Sequence, residues 1–163
     1  MIRRRRLAAA LAVALTLAGA GVPWVTRAVA AVDPDQAKQW GLTTIGAPAA
    51  WAKSTGAGVR IGIVDTGADL SHQDLAGKIV DPASCVGSDG DVAQCQTGPG
   101  TAQDDSGHGT HVAGIAAAIT GNGKGVAGVA PGAQLVVVKA LAAESGSVYD
   151  VNAGVMWAVD HGA

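Results

Sequence analysis

Two runs of β-branched and apolar residues, VRIGIV at 59–64 and QLVVVKA at 134–140, constrain the fold more than any other part of this sequence. Neither alternates polar with apolar side chains, so each reads as a strand covered on both faces, as in a parallel sheet flanked by helices. Parallel strands need crossovers. Val112, Ile115, Ala116 and Ile119 fall at i, i+3, i+4 and i+7, which gives the connecting segment one apolar helical face. Val148, Val151, Val155, Ala158 and Val159 outline a second amphipathic helix beyond the second run. Strand, helix, strand, helix in this order predicts an α/β fold with right-handed crossovers around a mostly parallel sheet.

Around that frame, the polar residues 33–41 read as an extended arm, and 47–53 as a short helix with Pro48 in its first turn. Residues 78–81 read as a short additional strand. Residues 82–106 read as one long loop, a length that in a compact domain is usually functional or insertional. Ser106 is placed to cap the next helix, because a hydroxyl there accepts from first-turn amides. Gly121, Gly123, Gly125 and Gly128 end that helix in a turn.

Charge divides the chain. Five of its eleven Lys and Arg (Arg3, Arg4, Arg5, Arg6 and Arg27) lie in residues 1–30, which hold none of its thirteen acids. The basic cluster, the apolar run at 7–22 and the small-x-small triplet Ala28-Val29-Ala30 read as a secretory signal peptide cleaved after Ala30. The run is shorter than the roughly 20 apolar residues a membrane span needs. Residues 31–163 are then one secreted domain without a stable membrane anchor. Its acidic balance speaks against nucleic acid as a partner, since phosphate binding needs clustered Lys and Arg. Export also suits Cys85 and Cys95, ten positions apart in the long loop, which an oxidising compartment would let pair. Two cysteines without a nearby histidine are too few ligands for zinc.

Two motifs carry candidate chemistry. Val64-Asp65-Thr66-Gly67 puts a carboxylate at the carboxyl end of a buried strand, where open α/β sheets build sites. An acid there either caps its own turn or holds an imidazole in one tautomer. Asp-Thr-Gly is also the catalytic triplet of aspartic proteases, which in the retroviral form are dimers of short chains. His108-Gly109-Thr110-His111 puts an imidazole at a helix start beside glycines that permit close backbone approach, a mount suited to a general base. His111 reads as a packed or backbone-bonded helix histidine, and His72 and His161 as surface residues. A metal site from Asp65, His108 and His111 lacks the i, i+4 histidine spacing of the helical zinc motif.

Three blocks in order, IVDTGADLSHQDL, DSGHGTHVAGIAAA and GVAGVAPGAQLVVVKAL, resemble the subtilisin-like serine proteases (subtilases, peptidase family S8). The likeness runs from about residue 36 to 163. It implies a secreted endopeptidase lineage acting on polypeptides, with Asp65 orienting His108 in an Asp-His-Ser triad and no cofactor required for the chemistry. It further implies peptide binding along Ser145, Gly146 and Ser147, with Tyr149 lining an apolar subsite. Gln36, Asp74 and Asn122 correspond to a structural calcium site of relatives. The family's nucleophile turn, Gly-Thr-Ser-x-Ala, does not occur in the 163 residues. The expectation is therefore a partial fold cut before the C-terminal half of the sheet, inactive alone. A dimeric aspartic protease and a non-catalytic secreted binding remnant stay open as alternatives.

Overall fold

A computed structural model of the chain describes residues 31–143 and 145–163. The signal peptide read at 1–30 lies outside the described residues. Eight regular elements matter here: α1 (Trp40–Thr44), α2 (Ala47–Trp51), β1 (Arg60–Asp65), β2 (Ile79–Ser84), β3 (Gln96–Thr97), α3 (His108–Ala117), β4 (Gln134–Lys139) and α4 (Val148–Asp160).

The strands form one sheet in the order β1-β4-β2-β3. β4 pairs in parallel with β1, from Arg60↔Gln134 to Asp65↔Lys139, and in parallel with β2 on its other side. β3 pairs antiparallel with β2. The fold is α/β with a mostly parallel sheet, as the order of elements predicts. Leu135, Val136, Val137 and Val138 are wholly buried, so β4 is covered on both faces. β1 also meets a helix on each face but is less deeply buried, with only Ile63 fully so, because among the described residues it has a strand neighbour on one side alone. The two runs look alike in sequence, yet among the described residues one lies inside the sheet and the other at its edge.

Side-chain alternation splits the core in two. Ile63, Leu135 and Val137 face α3, whereas Val136, Val138 and partly buried Val64 face α4. The buried face of each helix matches the expected one in part: Val112 and Ala116 of α3 pack against the core and Ala158 of α4 is buried, but the most buried positions are small residues. α3 turns Gly109, Ala113 and Ala117 inward and leaves Ile115 50% exposed; it also ends before Ile119. α4 buries Ala153, Gly154 and Ala158 and exposes Val148, Val155 and Val159. Small residues win these faces because they let the helix lie close to the sheet. A Cβ added at Gly154 would stand 2.8 Å from Val64 Cγ1.

Three further expectations are corrected. Residues 33–41 are not extended: they form a 3₁₀ turn at Gln36–Lys38 and the start of α1. The buried Asp33 carboxylate anchors them by accepting from the N–H groups of Gly121, Asn122 and Gly123 at 2.7–3.0 Å. β2 outlasts the strand read at 78–81, since the chain shifts register between Val80 and Ala83, around Pro82, and then rejoins β4. The long loop holds β3, a 3₁₀ turn at Val92–Gln94 and a disulfide between Cys85 and Cys95. Among the described residues no helix is long and apolar enough to cross a membrane.

Candidate active site

β1 ends on Asp65 and α3 begins on His108, and these two ends meet. His108 Nδ1 lies 2.7 Å from Asp65 Oδ1. Asp65 is 13% exposed and His108 66% exposed, so a sheltered acid carries an imidazole open to solvent. The same Oδ1 accepts the Thr66 N–H at 2.7 Å. A carboxylate only accepts, so this contact places a proton on Nδ1 and makes Nε2 the nitrogen able to take one up.

The approach of α3 to β1 depends on Gly109. A Cβ there would sit 2.0 Å from the Gly67 carbonyl oxygen, so any side chain would push the helix start off the strand end. Thr66 ties the same junction together. Its hydroxyl accepts the Gly109 N–H at 2.9 Å and donates to Asp104 Oδ1 at 2.8 Å.

Asp104 is the residue that organises the start of α3, and sequence reasoning missed it. Oδ1 accepts from Ser106 and Gly107 N–H at 3.0 and 2.9 Å, and Oδ2 from Thr110 N–H at 2.9 Å and from the Thr110 hydroxyl. Burial acts to raise its pKa, but the Thr110 hydroxyl and these three amides outweigh burial and hold the carboxyl well below the usual range. Ser106 does not cap the helix: Gly107 is the N-cap residue and no side chain bonds from that position. The missed signal was the acid pair Asp104-Asp105 just ahead of a helix start, where negative charge is favoured. Beside it, Lys139 donates to the Thr66 carbonyl at 2.8 Å and to Asp105 at 2.7 Å. The Lys139 ammonium leads the effects that draw the Asp105 carboxyl below its usual range.

His111 is exposed and lines a cleft with Asp69 and His72, so it is not the packed residue its position suggested. His72 Nδ1 accepts the Asp74 N–H, and His161 stacks on Trp157. Residues 145–149 follow the carboxyl end of β4, where the Ala140 and Leu141 N–H groups bond the Asp65 carbonyl. Ser145 pairs its own N–H and C=O with Ala142. Among the described residues Gly146 has no backbone partner. Ser147 caps α4, its hydroxyl accepting the Tyr149 N–H at 3.1 Å. Tyr149 is 62% exposed.

Of the three residues matched to a calcium site, Asp74 and Asn122 have side-chain oxygens that accept from protein donors. Asp74 accepts from Val126 N–H and from the Asn122 amide, and the Asn122 oxygen accepts the Lys124 N–H at 2.8 Å. Among the described residues no group of three or more His, Cys, Asp or Glu is placed to hold a metal.

Comparison with known proteins agrees on one lineage. A model described as the subtilase family matches residues 56–163. Thermitase of Thermoactinomyces vulgaris is 43% identical over 127 residues, 77% of this chain and 42% of the relative. The major intracellular serine protease of Bacillus subtilis is 43% identical over 108 residues, 66% of this chain and 32% of the relative. A solved structure from Pseudoalteromonas arctica PAMC 21717, described as a protease, superposes with a TM-score of 0.65 at 29% identity, over 78% of this chain and 44% of that one. The chain thus spans less than half the length of the relatives it matches.

Proposed function

The chain belongs to the subtilase family, and from that premise we propose that Asp65 and His108 are the acid and base of an Asp-His-Ser site that cleaves polypeptides. The 2.7 Å contact between His108 Nδ1 and Asp65 Oδ1 carries the proposal. In it, His108 takes the proton of an attacking serine hydroxyl on Nε2 and returns it to the leaving amine. Asp65 fixes the tautomer and balances the imidazolium. Membership of the subtilases and the use of Asp65 by an imidazole set aside the aspartic-protease reading of Asp65-Thr66-Gly67.

The substrate enters this proposal as an added strand along Gly146 and Ser147, whose backbone follows the end of β4, with Tyr149 beside an apolar side chain of the peptide. Calcium at Gln36, Asp74 and Asn122 is not part of it. Export is: the basic and apolar leader and the Cys85–Cys95 disulfide both suit an oxidising compartment. Mass spectrometry of the protein from culture medium should find Ala31 as its first residue, and a retained leader in the cytoplasm would refute export.

The 163 residues contain no Gly-Thr-Ser-x-Ala turn, which favours a second, narrower reading in which these residues alone bind peptide and hydrolyse nothing. Loss of the nucleophile from such a triad lowers kcat by about 10⁶. Casein digestion by the purified 163-residue chain, blocked by a serine-directed phosphonate, would overturn that reading. The triad assignment is tested in a chimera joining these residues to the nucleophile-bearing half of thermitase. Asp65→Asn there should lower kcat by about 10⁴; an undiminished rate would remove Asp65 from the mechanism.

A further inference from the structure

Asp150 stands in the first turn of α4, beside Tyr149, and its side chain reaches into the disulfide loop. It is 5% exposed, and its carboxylate accepts from Gly87 N–H at 3.0 Å, Asp89 N–H at 3.1 Å and the Ser88 hydroxyl at 3.2 Å. Three donors from one loop tip therefore converge on one helix side chain. They hold the Asp150 carboxyl below its usual range, with the Gly87 N–H contributing most. The base of the loop is closed by the Cys85–Cys95 disulfide and joined to β4 through Cys85 N–H and the Lys139 carbonyl at 2.8 Å. The next tip residue, Gly90, lies against the tyrosine: a Cβ added there would stand 3.6 Å from Tyr149 Cβ and 3.9 Å from Cδ1. One flank of the ring meets the loop and much of the rest is open to solvent.

We infer that Asp150 is a positioning residue for peptide selection: by clamping residues 87–90 of the disulfide loop to α4, it sets the Tyr149 ring as one wall of a subsite for an apolar side chain. The inference rests on the proposed reception of peptide along residues 145–149. Its physical basis is a restriction of freedom. The Ser147 cap fixes the Tyr149 backbone, and the loop tip limits where the ring can turn. Without the Asp150 acceptors, residues 87–89 lose their hydrogen bonds to α4, leaving the turn bonds of Ser88 and Asp91 and the packing of Val92 to hold the loop; the ring then gains room, so its contact with an apolar group is made at a greater entropy cost.

The chain has one tyrosine, so ring-labelled tyrosine gives a single NMR reporter for Tyr149. Acetylated tetra-alanine amide and its four single-phenylalanine relatives are titrated against the oxidised full chain. Phenylalanine at one position should tighten binding over tetra-alanine and shift the Tyr149 ring signals. Asp150→Ala, and separately reduction of the disulfide, should cut that preference by about threefold or more while leaving tetra-alanine affinity in place. Asp150→Asn, which keeps one acceptor oxygen, should restore part of it. An unchanged preference in Asp150→Ala overturns the inference. So does a loss of tetra-alanine binding in step with the preference, because that marks general unfolding. If no peptide shifts the backbone signals of residues 145–149 in the unaltered chain, peptide reception itself fails and the inference falls with it. If peptides bind and Asp150 is indifferent to which, the inference alone falls.

Discussion

A strand end and a loop meet at the start of α3, and each brings an aspartate there to a different end. Asp104, from the loop before the helix, has both oxygens filled by amide and hydroxyl donors of Ser106, Gly107, Thr110 and Thr66. Asp65, the last residue of β1, accepts one amide and spends the same oxygen on an imidazole. A carboxylate saturated by local donors is a joint that fixes the backbone. One that faces a ring nitrogen decides where a proton resides. The same side chain does both jobs within one junction, and what separates them is the company each keeps. Substitutions there should divide accordingly, into those that break the joint and those that alter only the proton.

The largest effect is expected from Gly109→Ala, which tests whether the start of α3 must touch the chain leaving β1 at all. With a methyl group 2.0 Å from the Gly67 carbonyl, the helix start must retreat, and unfolding free energy in urea should fall by about 3 kcal/mol or more. Stability equal to the parent would show that the junction has slack. Asp104→Ala should come next, at about 2 kcal/mol, through the loss of a helix-start acceptor and of a partner for Thr110. The pH dependence has a definite sign. A carboxyl depressed in the folded state stabilises above its unfolded pKa of about 4, and that stabilisation is lost as pH falls below that value. Melting temperatures between pH 6 and 2 should therefore decline less steeply in Asp104→Ala than in the parent, and parallel curves would contradict this. Thr66→Val keeps the shape but removes the acceptor for the buried Gly109 N–H, which should lower stability by about 1–2 kcal/mol in the same urea assay.

How much of this junction the sequence disclosed follows from what each residue needs. Asp65 and His108 were legible because a strand end, a helix start and their flanking glycines are all local signals. Their meeting was implied by resemblance, as the two lie 43 positions apart. Asp104 was hidden behind Ser106, a residue of better-known capping habit, since five converging donors exist only after the loop has folded. β1 and β4 could not be told apart because edge or centre is set by neighbours, and a run of Val and Ile serves both. The inward faces of α3 and α4 were only partly legible, through Val112, Ala116 and Ala158, for a related reason. Branched residues look like the natural core, but close approach to the sheet selects Gly and Ala, with Gly154 pressed on Val64.

Asp65→Asn should disturb the fold least, by under about 1 kcal/mol, since an amide nearly matches the carboxylate in shape. It is also the most direct probe of the central claim, that Asp65 sets the proton of His108. Imidazole ¹⁵N NMR of the neutral ring, assigned with a His108→Gln sample, should find the proton on Nδ1 in the parent chain and on Nε2 in Asp65→Asn. A parent ring already protonated on Nε2, unchanged by the substitution, would contradict the account.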